Sequence, residues 1–178
     1  VQTAVAGGPT NTPTPSPSPT PSPTPTPAIV VLNPVADAYV SSASPDGNFG
    51  VLPKLLASTG PVHNSFLRFD ASGVSGTILG AQLRLFALSS SSVGYTAFGV
   101  ADTTWGETTI TYNNAPSIGA PSGTSGAVTA GTWTSADVTS VVSGGGLVSL
   151  ALASTDTNQI LLGSREYVSA RPELVVTY

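Results

Sequence analysis

Residues Ser65 to Leu88, SFLRFDASGVSGTILGAQLRLFAL, carry the clearest hydrophobic pattern in the chain. Leu67 and Phe69 fall on one face of an alternating segment, and Phe66, Arg68 and Asp70 on the other. After a Gly/Ser turn, Leu83, Leu85 and Ala87 alternate with Gln82, Arg84, Phe86 and Leu88. A period of two predicts β-strands, here two long strands paired across the turn. Large apolar residues on both faces predict central strands of a two-layer structure.

The rest of the folded region repeats this grammar in shorter pieces. AIVVLNPVADAYVSS predicts one or two strands, LPKLLAST a short one, and Gly94 to Asp102 another. Ser44 to Gly50, SPDGNFG, is rich in turn residues. TTWGETTITYNNAP predicts a loop holding Trp105 and then a strand through Ile110 and Tyr112, and SIGAPSGTSGAVTAG a long turn-rich loop. TWTSADVTSVVSGGG predicts a strand and one helical turn near Val138 to Ser143, capped by Ser135 or Asp137 and ended by Gly144. LVSLALAST, NQILLGS and Glu173 to Tyr178 complete a set of about ten strands, which predicts an all-β, jelly-roll-like antiparallel sandwich over residues 28–178.

Two segments precede that domain. Residues 9–27, PTNTPTPSPSPTPSPTPTP, alternate proline with small polar residues. Proline fixes φ and removes the amide donor, so an extended polyproline II stalk is expected. At about 3.1 Å per residue it would span roughly 60 Å. Thr10, Thr12, Thr14, Ser16, Ser18, Thr20, Ser22, Thr24 and Thr26 are O-glycosylation candidates, as in mucin-like stalks. Residues 1–8 form a short apolar arm in which Val1, Thr3 and Val5 alternate with smaller or polar positions, as in a strand lent to a neighbouring sheet edge.

Composition narrows the partners. Charged residues make up 8% of the chain, against roughly 25% on average. A net charge of −4 with five basic residues argues against nucleic acid and polyanions, which need a basic footprint. No apolar run approaches the roughly 20 residues that span a bilayer. The chain begins at Val1 without a hydrophobic leader, so a removed signal peptide is expected, and with the stalk an extracellular or cell-surface location.

The chemistry-bearing residues are sparse. One histidine and no cysteine exclude a His/Cys metal cluster. His63 sits in the polar stretch GPVHNS and reads as solvated. Nine carboxylates show no spacing that selects a glycosidase pair, so no catalytic residues, no enzyme and no required cofactor are expected. Asp46 and Asn48, with Asp37 nearby in sequence, make an oxygen-rich loop suited to Ca2+. Asp70 and Asp137 read as turn or capping residues. Arg68 and Arg84, on central strands, are expected to pair with carboxylates and set register. Trp105, Tyr112 and Trp133 are the ligand-binding candidates, with Tyr95 and Tyr167 as further platforms, because sugar rings present CH faces to aromatic rings.

The pieces ADAYVSSASPDGNFG, SFLRFD, ILGAQLRLFAL, WGETTITYNNAP, WTSADVTSVVSGG and SREYVSARPELVVTY, in that order, resemble the DNRLRE-type domain of bacterial and archaeal extracellular proteins, part of which is classed as carbohydrate-binding module family 96. The resemblance implies a secreted, non-catalytic β-sandwich, and for the modules of that class polysaccharide binding, alginate among the ligands. Five basic residues point this chain to neutral or mixed polysaccharide instead. Two functions are therefore expected. One is a structural or adhesive subunit that self-associates head-to-tail through its arm and stalk into a filament. The alternative is a carbohydrate-binding module.

Overall fold

The computed structural model describes residues 1–4, 7–8 and 26–178. Eleven strands follow in chain order: β1 (Ile29–Leu32), β2 (Pro34–Ser41), β3 (Leu55–Thr59), β4 (Val62–Asp70), β5 (Gly80–Phe86), β6 (Thr96–Val100), β7 (Pro121–Thr124), β8 (Trp133–Asp137), β9 (Leu147–Ala153), β10 (Ile160–Leu162) and β11 (Glu173–Thr177). They form a four-stranded sheet in the order β1-β11-β5-β8 and a seven-stranded sheet in the order β10-β3-β4-β9-β6-β7, with β2 also on β4. Every pairing is antiparallel. The two sheets pack as the expected jelly-roll-like sandwich. No helix long and apolar enough to cross a membrane occurs among the described residues.

The alternation within β4 and β5 is as expected, but their relation is not. They belong to different sheets, so the Gly/Ser stretch between them is a crossover and not a hairpin. Leu67 and Phe69 of β4 and Leu83 and Leu85 of β5 meet in the main core with Leu150, Leu152 and Leu174. Phe66 points the other way, into a second cluster with Ala36, Ala38, Trp105 and Ile110. That cluster lies on the outer face of the seven-stranded sheet, beneath residues 101–120.

Residues 101–120 depart most from expectation. The strand expected through Ile110 and Tyr112 is a turn: the Thr109 and Ile110 amides both donate to the Gly106 carbonyl, at 3.1 and 2.8 Å. Asn114 closes a second turn, accepting from the Thr111 amide at 2.6 Å and donating to the Thr109 carbonyl at 3.0 Å. Asparagine offers the backbone a local alternative to ladder bonds, and it wins over β-propensity here. The next stretch, expected to be loop throughout, contains β7. This strand has no large side chain and starts at Pro121, which an edge strand tolerates.

Aspartates end several strands by one device. The Oδ1 atoms of Asp70, Asp102, Asp137 and Asp156 accept from the amides of Ser72, Thr104, Thr139 and Asn158, at 2.9, 2.7, 2.9 and 3.0 Å. After Asp137 the Val141 and Val142 amides donate to the Val138 carbonyl, the single turn the sequence predicts. Gly144 follows with φ of 90°.

Leu85 is fully buried between the sheets. Leu85→Ala should therefore lower the denaturation midpoint by the equivalent of about 2–5 kcal/mol with an unchanged m-value. Hydrogen bonds hold the four aspartates below the ordinary carboxylate value of 3.8: the turn bonds for Asp70, Asp102 and Asp137, and for Asp156 first the Ser91 hydroxyl and then its turn bond. Depressed folded-state values add stability that is present above 3.8 and lost as pH falls below it. A variant with all four replaced by asparagine keeps the acceptor oxygens, and its melting temperature should fall less steeply in that acid range than that of the parent.

Candidate functional site

The structure separates the three aromatic candidates. Trp105 is a core residue, 7% exposed. Its indole Nε1 donates to Ser149 Oγ at 2.8 Å, its ring meets Phe66 edge-on at 6.1 Å, and the Arg68 guanidinium lies 5.1 Å from its centroid. Position in a polar stretch of sequence did not mean exposure, because that stretch folds flat over the outer face of β4 and β9. Tyr112 is 38% exposed but belongs to the same covering segment. Trp133, also 38% exposed, stands on the opposite face of the sandwich, the outer face of the four-stranded sheet. Tyr95 is buried and is no platform.

Around Trp133 the sheet register builds a surface. Phe86 of β5 lies opposite Trp133 of β8, and Arg84 opposite both Ser135 of β8 and Glu173 of β11. Phe86 meets Trp133 edge-on with centroids 5.8 Å apart. On its other side it stacks on Tyr167 at 6.1 Å with planes 16° apart. Tyr167 comes from the segment after β10, which is tied to β5 where the Gly163 amide donates to the Phe86 carbonyl at 2.9 Å. The Arg84 guanidinium lies 4.9 Å from the Trp133 centroid, and its Nη1 donates to Glu173 Oε2 at 2.6 Å. Further along, Gln82 Nε2 donates to Asp137 Oδ2 at 3.1 Å. The result is a strip of three aromatic rings bordered by paired, half-exposed polar groups. Apolar ring faces suit the CH face of a sugar, and the guanidinium, amide and carboxylates suit its hydroxyls.

Sequence reasoning included Trp133 and Tyr167 but missed Phe86 as their link. The available signal was a large aromatic on the polar side of the Gln82, Arg84, Phe86 alternation. The expected ion pair of Arg84 forms. Arg68 instead donates through Nη1 to the Thr103 and Trp105 carbonyls at 2.9 and 2.6 Å, acceptors the covering segment leaves without strand partners. His63 is not solvated: it lies within β4, 4% exposed, with Nδ1 2.8 Å from Ser58 Oγ. Desolvation lowers its pKa.

The oxygen-rich loop does not gather into the expected set. Asp46 accepts from Asn113 Nδ2 at 2.8 Å on the surface. Asn48 uses its Nδ2 on the Glu107 and Ile110 carbonyls, both at 2.8 Å, and its Oδ1 on the Gly50 amide at 3.3 Å. Gly50 packs so tightly there that a Cβ would collide with the Glu107 carbonyl. Asp37, on β2, belongs to a different group: it meets Glu107 and Glu166 beside Arg165. Burial, and next the charges of Glu166 and Glu107, push its carboxyl up to about 8, although the Arg165 amide bond opposes the shift.

Of the arm, Val1 and Thr3 are exposed, and Val5 lies outside the described residues. So do the glycosylation candidates Thr10, Thr12, Thr14, Ser16, Ser18, Thr20, Ser22 and Thr24, while Thr26 is exposed at the domain entrance.

No curated protein matches this chain. Residues 28–178 match the family described as carbohydrate-binding module family 96, covering every strand of both sheets. A sandwich domain with an aromatic strip on one open sheet face thus belongs to carbohydrate-binding module family 96.

Proposed function

We propose that the protein is a non-catalytic module that binds an extracellular polysaccharide on the outer face of the four-stranded sheet. The observation that carries this reading is the Trp133–Phe86–Tyr167 strip beside the Arg84–Glu173 pair. Trp133 and Tyr167 provide ring faces for successive sugar units, Phe86 holds both in place, and Arg84 and Glu173 address hydroxyl groups. Arg84 is already neutralised by Glu173, and the chain carries a net charge of −4, so a neutral or mixed polysaccharide fits better than a polyanion. An extracellular or cell-surface location follows from such a ligand and from the Pro/Thr/Ser stalk. The filament reading gains no support: its arm and stalk fall largely outside the described residues, and the family favours the alternative.

Affinity electrophoresis through gels of soluble β-glucan, mannan and xylan tests the assignment. The parent chain should be retarded by at least one of them. Trp133→Ala should weaken that retention about tenfold or more, the equivalent of about 1.4 kcal/mol. Trp105→Phe, which removes the Ser149 hydrogen bond and keeps the core packing, should leave retention unchanged. Parent-like mobility of the Trp133 variant would remove the binding face from this location.

A further inference from the structure

The carboxylates of Asp37, Glu107 and Glu166 come from three separate parts of the chain: β2, the covering segment 101–120, and the segment after β10. Each offers an oxygen, and these oxygens all lie within 4.8 Å of one another. Around them the hydrogen bonds are incomplete. Asp37 Oδ2 accepts from the Arg165 amide at 2.8 Å, but Oδ1 is buried and has no donor among the described residues. The residue is 1% exposed, so water does not supply one from outside. Glu107 is held in place, its Oε1 accepting from the Asp37 amide and both its oxygens accepting from Arg165 Nη1, all at 2.9 Å. Glu166 Oε2 accepts from Ser164 Oγ at 2.9 Å, and Oε1 faces Arg165 Nε at 3.7 Å.

We infer that Asp37, Glu107 and Glu166 form a binding site for a divalent cation of the Ca2+ type. An unpartnered carboxylate oxygen in a buried position is costly unless a cation or donor reaches it. With all three ionised, as ligands to an ion must be, the carboxylates facing one guanidinium leave two negative charges, which one divalent ion balances. The spacing fits as well: two oxygens bound at about 2.4 Å to one ion lie at most about 4.8 Å apart. The ligand set is all oxygen, with neither imidazole nor thiolate, which selects a hard cation over zinc or copper. An ion here would tie β2, the covering segment and the segment after β10 together. This site is separate from the aromatic strip and does not depend on the polysaccharide reading.

The test is calorimetric titration of the full chain with CaCl2 after dialysis against a chelator, paired with thermal unfolding. The expected result is saturable binding of one Ca2+, and a melting temperature raised by roughly 5–10 °C at a hundredfold excess over Kd. Glu166→Gln changes a half-exposed side chain and should weaken Ca2+ binding about tenfold or more. Asp46→Asn, altering the acidic residue that the structure places elsewhere, should titrate like the parent. The inference is overturned by absence of heat and of any melting shift in the parent at about 10 mM CaCl2, above the range of weak extracellular sites. Parent-like binding in Glu166→Gln, or loss of binding in Asp46→Asn, would overturn it too.

Discussion

Strand β4 carries bulky apolar side chains on both faces, and neither face can be left to water. Leu67 and Phe69 require the second sheet, and Phe66 requires a cover on the outside of its own sheet. Residues 101–120 provide that cover without regular strand structure, so their polar backbone groups need other partners. Arg68 answers this need: its guanidinium takes the Thr103 and Trp105 carbonyls and lies against the Trp105 ring. Asn48 does the same for the Glu107 and Ile110 carbonyls. The sandwich is therefore closed on one outside face by a segment pinned through side chains.

This asymmetry decides which sheet face is left open. With the seven-stranded sheet covered, the open sheet surface is the other one, and its exposed aromatic, Trp133, is held there by Phe86 and Arg84. The covering segment has a second consequence at its margin. Pinning Glu107 beside β2 brings it to Asp37, while the segment after β10 delivers Arg165 and Glu166 to the same point and Tyr167 to Phe86. The stretch Ser164 to Tyr167 thus serves both the acidic cluster and the aromatic strip, on adjacent residues that project in different directions.

The fold was largely legible in the chain because strand patterns are local. Alternation at β4, β5, β9 and β11 needs only neighbouring residues to be read, and aspartates at strand ends announce turns through their own i to i+2 bonds. The errors occurred where local preference and tertiary partner disagree. Ile110 and Tyr112 look like strand residues, but Asn114 and Asn48 draw the backbone into turns. His63 looks like a loop residue, but two strands meet at Gly60 and Pro61, and the imidazole is carried inward to Ser58.

The sequence by itself determined the class of the domain, its segment order, its low charge and the small set of aromatic and acidic residues available for function. Tertiary structure alone decided which of these share a surface. Trp105 and Trp133 differ little in local sequence character, yet one is buried under a covering segment and the other stands on an open sheet. Asp37, Glu107 and Glu166 meet although far apart in sequence, whereas Asp37 and Asp46, nine positions apart, do not. The physical reason is the same in each case: burial and juxtaposition come from how the sheets stack and what crosses their faces, and no local pattern encodes the far partner.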